Sequence, residues 1–114
     1  MELWHNPRCS KSRAAKAILD DRSIAYDERR YLEQPPSVEE LDRVLTAMDK
    51  QPWEVARLGE DVAKELDLRH WPQDRRRWLD AMVANPVLIE RPIVVTDDGR
   101  AVLGRPPEAI EALL

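Results

Sequence analysis

Residues 2–31 read ELWHNPRCSKSRAAKAILDDRSIAYDERRY, and this stretch decides the fold. Glu2 to His5 leans apolar and suits a short strand. Asn6-Pro7 breaks it into a loop. From Ser10 the spacing turns helical, with Ala14, Ala15, Ala17, Ile18 and Leu19 forming an apolar face as far as Asp21. Ser23 to Tyr31 alternates apolar and polar residues through Ile24 and Tyr26, which predicts a second strand. A β-α-β opening implies two parallel strands and a right-handed crossover.

Outward from this unit, Glu33-Gln34-Pro35-Pro36 is a break. Ser37 caps a new helix, with Glu40 in the capping-box position three residues on. Leu41, Val44, Leu45 and Met48 make its buried stripe. Pro52 begins a short helix through Val55 and Leu58, and Glu60–Leu68 and Gln73–Ala84 are further helical segments. Residues 37–84 therefore form a helical block. Pro92-Ile93-Val94-Val95-Thr96 has strand character. Asp97-Asp98-Gly99-Arg100 predicts a hairpin turn, with Ala101-Val102-Leu103 returning. Pro106 starts a last helix ending at Leu114. The order β-α-β, helical block, β-β-α defines one α/β domain over residues 1–114.

Composition narrows the function. A chain of 114 residues with 43% hydrophobic and 35% charged side chains can bury a core without disulfides or metals. Phenylalanine is absent, so Trp4, Trp53, Trp71, Trp78, Tyr26 and Tyr31 are the large aromatics. A net charge of −4 carries no bulk nucleic-acid footprint. No stretch approaches the ~20 apolar residues of a membrane span, and the N-terminus has no apolar signal run. A cytoplasmic protein is expected, and nothing in the sequence demands more than a monomer. His5 and His70 lack metal-ligand spacing, so no metal is expected. Gly59, Gly99 and Gly104 make no phosphate loop. Arg75-Arg76-Arg77 reads as a solvated helix face.

Cys9 is the only cysteine, which excludes an internal disulfide or dithiol. It falls between strand and helix, where free N–H groups and the helix dipole stabilise a thiolate and bind anions. Arg8, Lys11 and Arg13 add positive charge, and His5 is close in sequence. A free cysteine can equally be a small buried hydrophobe. The polar, cationic run Asn6–Arg13 favours the reactive reading. Arg91 and Arg105 each precede a proline at the entrance to an element, in restricted backbone.

These motifs together resemble the single-domain arsenate reductases of the glutaredoxin-coupled type, the ArsC family. The resemblance is carried by His5-Asn6-Pro7-Arg8-Cys9-Ser10-Lys11-Ser12-Arg13, Tyr31-Leu32-Glu33-Gln34-Pro35-Pro36, Asn85–Val95 and Leu103-Gly104-Arg105-Pro106-Pro107-Glu108. It implies a thioredoxin-like fold, a mixed four-stranded sheet with a helical insertion, and a cis bond before Pro92. It implies Cys9 as nucleophile, His5 helping to keep the sulfur ionised, and Ser12 beside them. It implies Arg57, Arg91 and Arg105 as ligands of arsenate or a similar oxyanion. No bound cofactor is implied; glutathione is the reducing co-substrate and glutaredoxin the protein partner. Arg8 departs from the small or uncharged residues of better-studied arsenate reductases. That departure leaves open a glutathione-dependent thiol reductase with another substrate. A non-enzymatic redox regulator of this fold would use a C-x-x-C pair, and here Ser12 holds the second position.

Overall fold

The computed structural model describes residues 1–114. Strand β1 (Glu2–Trp4) leads through the Asn6–Cys9 loop into α1 (Ser10–Asp21), and β2 (Asp27–Arg29) follows. Helices α2 (Val38–Ala47), α3 (Asp61–Glu65) and α4 (Arg75–Ala84) then precede β3 (Ile93–Val95) and β4 (Ala101–Leu103). Short 3-10 turns occupy Pro52–Glu54, Leu68–His70, Pro86–Leu88 and Pro107–Leu113. The sheet order is β2-β1-β3-β4, with β1 parallel to β2 and antiparallel to β3, and β3 antiparallel to β4. This is the mixed four-stranded sheet expected.

Alternation along the two central strands sorts the core into two layers. Leu3 pairs with Val94 and faces Ala15, Leu19 and Ile110, so α1 and the C-terminal turn cover one side. Trp4 pairs with Ile93 and faces the helical block, joining Leu41, Leu45, Leu68, Trp78, Met82 and Leu88. Trp53 and Trp71 pack edge-on against Trp78, with ring centroids 6.2 and 5.9 Å away. The hairpin closes around Thr96, whose hydroxyl accepts from Arg100 N at 3.0 Å, while Gly99 takes φ 88°. That left-handed conformation favours glycine.

Several local expectations change. The second strand is shorter than Ser23–Tyr31, because β1 offers only three residues as partners before the chain turns at Asn6. Ser23 sits at φ 55° in the turn that leaves α1. The buried stripe of α1 is Ser12, Ala15 and Leu19. Ala17 lies about 200° around the helix from Ala15 and is exposed. Ser37 does cap α2, accepting from Glu40 N at 3.1 Å, but the Glu40 carboxylate turns to Arg29 Nη1 at 2.6 Å instead of closing a box. The closed box is Gln51 with Glu54. Beyond Glu54 the chain leaves the helical path, because Ala56 bridges Ile89 and the chain then turns at Leu58-Gly59. Asp67, at φ 56°, follows α3 and separates it from the next turn, so Glu60–Leu68 is not one helix. The C-terminal segment is a 3-10 turn beginning at Pro107. Arg75 is not simply solvated. It binds Asp42 at 2.7 Å and Gln51 at 2.8 Å, tying α4 to α2.

Leu45 is fully buried in the larger cluster. Leu45→Ala is expected to lower stability by about 2–5 kcal/mol in urea unfolding, whereas Ala17→Gln stays within about 0.5 kcal/mol.

Candidate active site

The site grows from the loop between β1 and α1. Asn6 shapes it from both ends: its carbonyl accepts from Cys9 N at 3.0 Å, and its Oδ1 accepts from Arg8 N at 3.0 Å. Beneath the loop, Ser12 is fully buried. Its hydroxyl accepts from Asn6 N at 3.0 Å and lies 2.7 Å from His5 Nδ1. His5 is itself buried and donates its backbone N–H to Arg29 O at 2.8 Å, continuing the ladder to β2. Strand, loop and helix are thus pinned to one another under the cysteine.

Cys9 occupies the N-cap of α1 in extended backbone (φ −96°, ψ 123°), without a side-chain cap. Burial pushes its thiol pKa up. The backbone N–H of Ser12, the Arg91 side chain and the backbone N–H of Lys11 outweigh this and bring it down to about 7. Arg105 Nη2 also points at the sulfur, a long contact of 3.7 Å. Burial pushes the His5 pKa below its ordinary value. The imidazole is therefore neutral at pH 7, and its visible contact is Ser12, not the sulfur.

Arg91 and Arg105 come from the two ends of the β3–β4 hairpin, and both Arg-Pro bonds, to Pro92 and Pro106, are cis. Arg105 Nε donates to Arg91 O at 2.7 Å. Close packing under the hairpin sets this approach. Gly104 N donates to Pro92 O at 2.8 Å, and a Cβ on Gly104 would fall 2.9 Å from Pro92 Cγ. Arg57 comes from the helical block. The Ala56–Ile89 bridge and the bond from Arg57 N to Leu88 O (2.8 Å) lay its segment beside residues 88–90.

Arg57 meets the other arginines through a carboxylate. Glu90 Oε1 accepts from Arg57 Nη1 at 2.8 Å and from Arg91 N at 3.2 Å, and lies 3.5 Å from Arg105 Nε. Glu60 holds Arg57 Nε at 3.1 Å. The structure therefore gathers Cys9, Arg91 and Arg105 directly, joins Arg57 through Glu90, and sets His5 and Ser12 beneath the loop. Sequence reasoning did not single out Glu90. Its position directly before the Arg91-Pro92 pair was the available signal. Tyr31 entered as a large aromatic, as the end of the expected second strand and as the start of one resembling motif, but with no role in the site. Its side chain is fully buried, and burial pushes its hydroxyl up to about 12 despite the opposing charges of Arg91 and Arg57.

A cysteine of lowered pKa at a helix N-terminus among arginines, on a thioredoxin-like sheet, is an arrangement that favours a negative charge beside the sulfur. The chain belongs to the ArsC family, whose model matches residues 4–113. It is 41% identical over 115 residues to the arsenate reductase of Neisseria meningitidis serogroup B, covering 100% of this chain and 97% of that one. It is 44% identical over 117 residues to an uncharacterized protein encoded in the glnII region of Streptomyces viridochromogenes, covering 100% and 98%. The solved structure of the arsenate reductase from Vibrio cholerae superposes with a TM-score of 0.92 at 41% identity, covering 100% of this chain and 98% of that one.

The rate of Cys9 alkylation should titrate with a midpoint near 7, and Arg91→Gln should move that midpoint upward. Folding is linked to the same proton. The sulfur ionises near 7 when folded and near 9.0 when unfolded, so the unfolded chain binds more protons between those values. Stability should therefore rise with pH across that window, and be lost again as pH falls through 7. Urea unfolding of Cys9→Ser should lack this rise.

Proposed function

We propose that this protein is an arsenate reductase that works through a covalent adduct on Cys9. The observation that supports this reading best is the single thiol, ionised near neutrality, at a helix N-terminus and faced by Arg91 and Arg105. The Cys9 thiolate attacks arsenate at arsenic, an oxygen leaves as water, and a sulfur–arsenic bond forms. Arginines suit the oxyanion because a guanidinium offers two parallel N–H donors to two oxygens. Arg91 and Arg105 act nearest the sulfur, and Arg57 contributes from the far side of Glu90. Ser12 and His5 hold the loop that aims the sulfur.

With one cysteine, the chain cannot resolve the adduct itself. Two external thiol equivalents supply the two electrons, one from glutathione and one from glutaredoxin. They leave as a mixed disulfide, arsenic(V) becomes arsenic(III), and Cys9 returns as the thiol. Such chemistry belongs in the cytoplasm, where thiols stay reduced. No helix of the chain is long and apolar enough to cross a membrane. The chain acts here as a monomer.

The test is NADPH consumption coupled through glutathione reductase, glutathione and glutaredoxin. Arsenate-dependent turnover is expected, and Cys9→Ser should abolish it. Turnover no greater than that of Cys9→Ser refutes the reading.

One observation favours a second reading, a glutathione-dependent thiol reductase with another substrate. Glu90 already gives Arg57 and Arg105 a carboxylate partner, which reduces the positive charge left for a dianion. A Cys9–glutathione disulfide seen by intact-protein mass spectrometry, without arsenate turnover, would decide for it. If arsenate is the substrate, Glu90→Gln keeps an acceptor oxygen but removes the competing charge. The arsenate KM should then fall severalfold with little change in kcat.

A further inference from the structure

Tyr31 follows β2 in a turn that Arg29 clamps, its guanidinium donating to Gln34 O at 2.9 Å and Pro35 O at 3.0 Å. The clamp leaves Leu32 exposed and sends Tyr31 inward, where it is 0% exposed within the larger core cluster. An aromatic ring there needs no hydroxyl. Two buried side-chain polar atoms in the chain lack a hydrogen-bond partner: Tyr31 Oη and Arg91 Nε. They are not scattered. Arg91 acts on the Cys9 sulfur, and the charged groups that bear on the Tyr31 hydroxyl are Arg91, Arg57, Cys9 and Glu90.

A buried polar group without a partner is costly, so native structures rarely keep one without a use. Arg91 Nε can only donate. The Tyr31 phenol keeps its proton up to about 12, so it too is available as a donor. Two unpartnered buried donors that share Arg91 and Cys9 as neighbours call for a ligand made of acceptors. A tetrahedral oxyanion presents several acceptor oxygens and can take both bonds while its central atom meets the sulfur.

We infer that the Tyr31 hydroxyl, together with Arg91 Nε, is a hydrogen-bond donor to the oxyanion held at Cys9 and to the adduct it forms. This rests on the oxyanion chemistry proposed above and adds to it a neutral ligand from β2's end of the sheet. A neutral donor contributes direction without charge. It therefore helps select a tetrahedral anion over a flat carboxylate such as that of Glu90.

The test is protection of Cys9 from iodoacetamide by arsenate and, separately, by phosphate, in wild type and Tyr31→Phe. Removing the hydroxyl should raise the protection constant for both anions about tenfold. The alkylation midpoint without anion should stay put, and the urea midpoint should hold or rise, since an unpaired buried group is lost. Equal protection in the two proteins overturns the assignment. So does a moved alkylation midpoint with unchanged protection, which would mean that Tyr31 serves the sulfur. Absence of protection in wild type by either anion also overturns it. Wild type that is protected but does not turn over arsenate defeats the reductase reading alone and leaves Tyr31 in place, provided Tyr31→Phe weakens protection.

Discussion

The Ser12 hydroxyl joins three pieces of chain that otherwise have no reason to share a geometry. It meets the imidazole of His5 at the end of β1, the backbone N–H of Asn6 in the loop, and through its own backbone the first turn of α1. A small polar group at this depth must be fully paired, and here it is. The pairing fixes where α1 begins. That in turn fixes which N–H groups point at Cys9. The lowered thiol pKa thus descends from a bond that does not touch the sulfur.

Glu90 plays the matching part on the arginine side. Three guanidinium groups brought together without an anion would repel one another. The carboxylate accepts from Arg57 and from the Arg91 backbone, and stands close to Arg105. It holds the cluster assembled in the resting protein, and it also competes with any incoming anion. The site is thereby balanced between preorganisation and occupancy.

What could be read in the sequence was whatever local chemistry fixes. Asn6-Pro7 had to interrupt a strand, Ser37 had to cap, and Asp97–Arg100 had to turn. The ordering of strands and helical block followed from these breaks. What could not be read depends on distant partners. The stretch after Glu54 had helical composition, yet Ile89 draws Ala56 into a bridge. Counting apolar residues put Ala17 on the buried face of α1 and left out Ser12, because a buried hydroxyl looks polar until its partners are known. Cys9, Arg91 and Arg105 stood out by type and by adjacent proline. Glu90 and Tyr31 did not, since one is among many acids and the other among several aromatics. Their meaning lies in what packs against them.

In the cycle proposed above, a sulfur tuned to about 7 has a consequence for the far end as well as the start. Lowering a thiol's pKa enlarges its ionised fraction but blunts the nucleophilicity of each thiolate, and the compromise is best near ambient pH. The same electron withdrawal makes that sulfur a better leaving group. In that cycle, a Cys9 bonded to arsenic would depart readily when an outside thiol attacks. On that reading, the helix start that primes the sulfur to bond would also keep it from becoming trapped there.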